Sequence, residues 1–403
     1  MKKKILFIGA YGIENAGDDL PMLVMIDNLK KIAPEIEFEF HALTRHINKW
    51  EQEEYGVIYH QNLEYESREE SKDKWFRGLN YDDDREIFNN FSALIKSMDL
   101  LIIGAGNFII DISIDIFKGP IPLNWWYIHI AKLYAKKVFL YGFSTAPLNS
   151  EYGKLLTKDI INKSDLVTVR DQDSKLYLHS LGVDKSITVL PDSTLAGQLQ
   201  GSNVDFLQPE DKIIQNKHGD LTIALGLRAL SFLEEQGGNV FKTLLEFIHN
   251  NPQYRYLFIP QSTYFEDDDI ALAEKLHRQI DNNINTHIIT TRYTPKQLIS
   301  LYSIADLTIA IRLHSAVFSQ IAGTPAIAIN YLPKVASYMK DFGTQEQCIN
   351  LEELSLTSLE SCLQNIQNNK ALNAFIKKQH TKKNKQAQQY ATLALSLLQS
   401  KDE

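Results

Sequence analysis

Two tandem α/β units, each with a doubly wound parallel sheet and together facing a cleft, are the architecture this sequence predicts. Three observations predict it. The short apolar runs are continuous rather than alternating, as strands buried on both faces are. Helix-compatible segments separate them. The series halts at a polar, aperiodic stretch, 198–219, and then begins again, and 403 residues exceed a comfortable single core.

The elements follow in order. The run ILFIG at 5–9 is the first strand, and a loop then leads to a helix over about 20–32. FEFHAL is the second strand, followed by LLIIGAG (100–106), VFLYGF (138–143), LVTVRD (166–171) and ITVLPD (187–192). The segment DSKLYLHSLG reads as a helix with Asp173 as its cap and Gly182 at its end. Between 51 and 86 the pattern fails in a stretch dense with charge, Tyr and Trp, which reads as an irregular insertion. The second series comprises LTIALGLR (221–228), YRYLFIPQ (254–261), THIIT (286–290), LTIAIR (307–312) and AIAIN (326–330). The expected division is 1–200 for the first unit, 218–375 for the second, and a helical tail over 376–403.

Bulk properties exclude several classes. A formal net charge of −8 leaves no basic face for nucleic acid. An anionic substrate must then be captured by local cations. Cys348 and Cys362 stand fourteen residues apart without metal-ligand spacing, which suits a reduced, cytoplasmic setting. The basic start MKKK precedes too short an apolar run for a signal peptide, and no apolar run approaches the roughly eighteen residues of a membrane span. HExxH, CxxC and GxSxG are all absent, so zinc hydrolase, thiol redox and α/β-hydrolase chemistry find no support. The acidic runs 82–84 and 266–269 read as solvated helix caps rather than metal clusters, and no cofactor or metal is expected.

The stretch 309–334, IAIRLHSAVFSQIAGTPAIAINYLPK, carries the strongest chemical signal. One strand runs straight into Arg312, Leu313 and His314, and the next ends at a turn carrying Lys334. Three nitrogen side chains thus meet at neighbouring strand ends, where open α/β sheets bind ligands. That grouping suits a small, densely anionic ligand such as a phosphate-carboxylate; local carbonyls satisfying Arg and His are the plainer explanation. Other strand ends supply further candidates. The loop GAYGIENAGD (9–18) offers glycines for close backbone approach, with Asn15, Gly17 and Asp18, the last a base, a hydroxyl partner or a helix cap. GAGNFIID (104–111) offers Asn107 and Asp111, and Arg170 either reaches an anion or pairs with Asp171 or Asp173. Asp192, Arg228 and Gln261 also end strands. Trp125 and Trp126 lie in an apolar stretch that reads as a half-buried helix, with stacking on a sugar or contact with a membrane surface as alternatives.

Taken in order, the landmarks NAGDD (15–19), GAGNFIID, GFSTAP (142–147), VTVRDQDS (167–174), VLPDS (189–193), IPQ (259–261) and AIRLHSAVFSQIAGTPAIAINYLPK (310–334) resemble the polysaccharide pyruvyltransferase family. The chain departs from its pattern at Ala105, Ala146 and Ser193, where glycine, glycine and proline are usual. The resemblance implies a GT-B-like pair of Rossmann-like domains. It also implies transfer of pyruvate from phosphoenolpyruvate to a glycan as a ketal, in the making of exopolysaccharide or cell-envelope glycan. Arg312, Leu313, His314, Lys334 and Arg170 fall at its donor-binding positions. Within that scheme His314 is the expected acid and Asp18 the expected base. Asn15, Gly17, Asn107, Asp111, Asp192, Arg228 and Gln261 are left as acceptor or cleft residues. The partners are then phosphoenolpyruvate and a sugar acceptor that is nucleotide-linked, lipid-linked or polymeric, the lipid-linked case requiring peripheral visits to the inner membrane face. The acceptor's identity and the oligomeric state stay open. A nucleotide-sugar glycosyltransferase of the same fold is the rival enzyme, and a catalytically silent glycan-binding protein the rival of another class.

Overall fold

The computed structural model describes residues 2–65, 69–111, 118–198, 204–216, 221–230, 234–264 and 268–400. The chain folds as two compact units, the first comprising Met1–Ile13, Pro21–Ser193 and Gln386–Glu403, the second Glu14–Leu20 and Thr194–Lys385. A division at one point near residue 200 misses two crossings. The seven residues Glu14–Leu20 join the second unit, and the end of the helical tail joins the first.

The first unit holds strands β1 (Lys2–Ile8), β2 (Glu37–Thr44), β3 (Ile58–Gln61), β4 (Leu100–Ile109), β5 (Lys137–Thr145), β6 (Leu166–Val169) and β7 (Thr188–Val189). They form one sheet in the order β3-β2-β1-β4-β5-β6-β7, parallel throughout. The order reverses between β1 and β4, which marks the switch point of a doubly wound sheet. Leu101, Ile103, Val138 and Leu140 of the central strands are buried with Ile160, Ile161 and Leu178 of the covering helices. Tyr390, in helix Gln389–Gln399, packs edge-on against Tyr141 with ring centroids 4.9 Å apart. Its hydroxyl donates to the Pro191 carbonyl at 3.0 Å, so the tail is fastened to the first unit.

The second unit holds β8 (Thr222–Gly226), β9 (Arg255–Phe258), β10 (Thr286–Ile288), β11 (Leu307–Ala310), β12 (Ala326–Asn330) and β13 (Cys348–Asn350), in the order β10-β9-β8-β11-β12-β13. It too is parallel, with its switch point between β8 and β11. Helix starts are capped where the sequence supplies the donors' partners. Thr294 and Gln297 form a capping box before Pro295–Tyr302, and Gly323 closes Leu313–Ala322 in the left-handed region at φ 82°. Two such units, α/β and GT-B-like, are the fold class expected.

Several local expectations need correction. Apart from 66–68, which lie outside the described residues, the charged stretch 51–86 is not wholly irregular: it holds the end of helix Lys49–Tyr55 and all of β3, an edge strand of the sheet. Its few apolar residues suffice because an edge strand has one neighbour and a half-wet surface. The helix of 172–180 is capped by Asp171, whose side chain accepts from Ser174 N, and not by Asp173. The first helix begins at Ala16, four residues before the expected Leu20. Of the polar stretch 198–219, the described part is docked rather than loose. Buried Arg255 donates to the carbonyls of Ile213, Ile214 and Asn216 at 3.0, 3.1 and 2.5 Å. Buried Asp211 accepts from Tyr293 and His287, each at 2.8 Å. Residues 199–203, 217–219 and 266–267 of the expected linker and acidic run lie outside the described residues.

Both thiols are free, and burial pushes Cys348 and Cys362 up to about 11, which leaves them poor nucleophiles at neutral pH. Among the described residues no helix is long and apolar enough to cross a membrane.

At the edge of the first sheet, His41 Nδ1 lies 2.9 Å from His60 Nε2, and His41 Nε2 lies 2.8 Å from Glu39 Oε1. Burial lowers both imidazoles, His60 from 6.5 to about 4 with His41 adding repulsion. Between those values the unfolded chain binds the proton that folded His60 refuses, so acidification favours unfolding. The melting temperature should fall as pH drops from about 6.5 to about 4, and His60→Gln should flatten that slope; an unchanged slope by calorimetry would refute the assignment.

Candidate functional site

At the second switch point, β8 and β11 end side by side, and the chain leaving β11 is bonded back to β8. The N–H groups of Ile311 and Arg312 donate to the Gly226 carbonyl at 2.8 and 3.3 Å. Helix Leu313–Ala322 begins at once, with Arg312 as its N-cap residue. Arg312 makes no side-chain capping bond to this helix, and its first turn carries no acid. Its leading N–H groups and the positive end of its dipole therefore meet the carboxyl edge of the sheet.

The Arg312 side chain does not point outward as a lone cation. It is 6% exposed and forks onto Asp269, itself 2% exposed. Arg312 Nε lies 3.0 and 2.8 Å from the two carboxylate oxygens, and Nη2 donates to Oδ1 at 2.7 Å. Asp269 Oδ2 also accepts from the backbone N–H groups of Gln261 and Ser262, each at 3.0 Å. Burial pushes the Asp269 carboxyl up, while Arg312 and these N–H groups pull it down. The acidic run is thus not merely solvated. Asp268 caps helix Asp269–His277 from the surface, and Asp269 turns inward to hold Arg312.

Gln261 and Ser262 bring the segment Glu14–Leu20 to the same place. Ser262 forms an antiparallel bridge with Asn15, and Ala16 N donates to the Gln261 carbonyl at 2.8 Å. Glu14, at φ 57°, holds a conformation costly for a residue with a side chain. It is fixed there by Thr263 Oγ1 at 3.1 Å and Arg292 Nη1 at 3.3 Å. Asn15 caps the helix that follows: its side-chain oxygen accepts from Gly17 N at 3.1 Å, and its carbonyl accepts from Asp18 and Asp19 N, both at 3.0 Å. The half-buried His314 ring lies on Gly17, and a Cβ built there would stand 2.1 Å from His314 Nδ1. Only glycine allows that approach. Asp18, half-buried in the first turn beside Gly17, therefore lies near His314 in the fold although 296 residues separate them in sequence.

The other expected residues divide between the units. Leu313 is buried at the first helical position, and Lys334 is half-buried in the first turn of helix Pro333–Phe342 after β12. Arg228, two residues beyond β8, donates to the Tyr331 hydroxyl at 2.6 Å and lies 5.3 Å from its ring centre. Arg170 belongs to the first unit and is paired with neither Asp171 nor Asp173. It donates from Nη1 to buried Asp192 at 2.7 Å, from Nη2 to Asn107 at 3.0 Å, and from Nε to Ser144. Asp111 accepts from the N–H groups of Asn149 and Ser150, each at 2.7 Å, at the start of helix Glu151–Lys163. Burial opposes, but these bonds and that from the Ser150 hydroxyl hold it below the usual carboxylate range. Trp125 is a half-buried helix residue whose Nε1–H donates to Asp159 at 2.7 Å.

Sequence reasoning missed Asp269, Ser262 and Glu14. The run of acids before one helix was a usable sign, because a helix start needs one cap and the chain supplies more. Beside Asp269, buried Gln261 Oε1 and Ser262 Oγ have no hydrogen-bond partner among the described residues. Gln261 Nε2 lies 3.4 Å from the Tyr302 hydroxyl, which burial raises and Ser315 lowers, with the net direction upward.

Residues 15–333 match the family model for polysaccharide pyruvyl transferase, a span that includes every part of this arrangement except Glu14 and Lys334. The chain belongs to the polysaccharide pyruvyl transferase family. A curated member of its neighbourhood is the amylovoran biosynthesis protein AmsJ of Erwinia amylovora, 23% identical over 289 residues. The match covers 67% of this chain and 65% of AmsJ, so the chain spans just under two thirds of that relative's length. Among solved structures it is similar to the UDP-GlcNAc 2-epimerase of Neisseria meningitidis bound to UDP-GlcNAc, with TM-score 0.59, 13% identity and 99% of each chain covered. MurG of Acinetobacter baumannii is also similar, with TM-score 0.52, 11% identity, and 98% of this chain and 99% of that one covered. At such identities these likenesses establish the shared GT-B-like architecture alone.

Gly17→Ala should displace the His314 ring. The cost expected for forcing a methyl into such a contact is about 1–3 kcal/mol. A thermal melt that matches the parent would mean that the ring moves freely and that the glycine is not required.

Proposed function

We propose that this family member transfers pyruvate from phosphoenolpyruvate to two hydroxyls of a glycan sugar, forming a ketal and releasing phosphate. The observation that carries the reading is a helix start at a sheet switch point, with no acid in its first turn and no side-chain cap from its N-cap residue Arg312. Backbone N–H groups so placed are a ready anion site. A phosphate there would be held by the turn itself, with Lys334, one strand farther along the sheet, as a second cation. The buried hydroxyl of Ser262 and amide oxygen of Gln261 favour a polar ligand at the same strand ends.

The chemistry follows from the donor. His314 delivers a proton to the methylene carbon, leaving positive charge on the central carbon. A sugar hydroxyl bonds to that carbon as Asp18 takes its proton, and the carbon–oxygen bond to phosphate breaks with its electrons leaving on phosphate. The second hydroxyl then closes the ketal, and its proton goes to the released phosphate or restores His314. Arg312 supports this site through its N-cap position. Its buried fork onto Asp269 makes it an anchor of the turn more than a free clamp.

Calorimetric titration should show binding of phosphoenolpyruvate and none of uridine or guanosine diphosphate. Tight nucleotide binding without phosphoenolpyruvate binding would overturn the reading in favour of glycosyl transfer. In a coupled phosphate-release assay His314→Gln should retain donor binding and lose turnover by about 100-fold or more, the range that general acid catalysis supplies. Full turnover with donor binding intact would remove His314 from the acid role.

A further inference from the structure

The geometry points to Asp269 as a positioning residue for the anion-binding turn at Arg312, Leu313 and His314, an inference that rests on the donor reading above. Asp269 touches no proposed reacting atom. It acts through what it holds.

Its carboxylate binds two parts of the second unit, the helix start 43 residues later and the strand end just before it. Arg312, at the helix start, approaches with Nε and Nη2, a side-on fork of 2.7–3.0 Å contacts. Gln261 and Ser262, beyond the end of β9, approach with their N–H groups. Asp269's own N–H donates to the Ser262 carbonyl at 2.9 Å, so the acid and the strand end are bound in both directions. Through Ser262 and Gln261 the segment bearing Asn15, Gly17 and Asp18 is attached to the same point. One buried side chain thus links the residue that starts the turn to the strand end on which the Gly17 segment is held.

The chemistry of the pair explains why both partners are needed. A guanidinium offers its N–H groups in a fixed plane, so a bidentate carboxylate fixes the orientation of its whole stem. Arg312 is the residue from which helix Leu313–Ala322 departs. Orienting it orients the N–H groups of the first turn. Asn at 269 keeps the shape but presents an amide NH2 where one oxygen had accepted, opposing either the guanidinium or a backbone N–H. Misplacement of a turn by a fraction of an ångström weakens a phosphate site directly.

The test is a double-mutant cycle on donor affinity. Titrations of phosphoenolpyruvate and of inorganic phosphate would be run with wild type, Asp269→Asn, Arg312→Ala and the double variant, each with a thermal melt. We expect Asp269→Asn to raise both dissociation constants at least tenfold, and the double variant to bind no worse than Arg312→Ala alone. A structural role without positioning predicts a lowered melting temperature but unchanged affinity of the folded protein, and that result overturns the inference. If Asp269→Asn does not fold, Asp269→Glu and Arg312→Lys carry the test, since each keeps the charge pair and alters the fork. They should weaken binding, and unchanged constants again overturn the proposal. If wild type binds neither anion, the donor reading has failed. If it binds both and the variants match it, only the role of Asp269 has failed.

Discussion

A carboxylate taken out of water must be given donors on every side, and that requirement organises the second unit. Asp269 is buried, so its cost is offset only by a full set of partners held in place. Those partners are the residue that starts one helix and the backbone that ends one strand. A strand end and a helix start are where a parallel sheet leaves N–H groups uncommitted. Binding them to one another through a side chain fixes the geometry of the loop from which the helix departs.

The fold was legible because parallel strands buried on both faces advertise themselves as continuous apolar runs, and the central strands β1, β4, β5, β8, β9, β11 and β12 are of that kind. The edges were not. β3 is IYHQ and β13 is CIN, each with one neighbouring strand and partial exposure, so neither needs a hydrophobic run. The span of the first helix was misjudged because NAGDD looks like a turn. Its glycine serves close packing against His314, and a helix begins there all the same.

The site was half legible for a related reason. Arg312, His314 and Lys334 stand at strand ends, and strand ends are visible in sequence. What surrounds them is set by contacts between remote segments: Gly17 beneath His314, Asp269 behind Arg312, Asp192 behind Arg170. A charged residue's meaning depends on its partner, and nothing in the local sequence of Arg312 says that a carboxylate 43 residues earlier will meet it. In the first unit Arg170 shows the same rule, because its two adjacent acids are passed over for a buried one at the next strand end.

The chain passes from the first unit into the second at residue 14 and back at 21, returns to the second at 194, and leaves it again at 386. The two units are therefore not separable by one cut in the chain. A gene segment encoding 194–385 alone would carry the sheet, Arg312, Asp269 and His314, but not Glu14–Leu20, whose Gly17 lies against the imidazole. Grafting that segment onto a foreign amino-terminal half would transplant the sheet and leave behind the glycine against which the His314 ring lies. Such an exchange keeps the contact only if the incoming half carries a glycine where Gly17 stands.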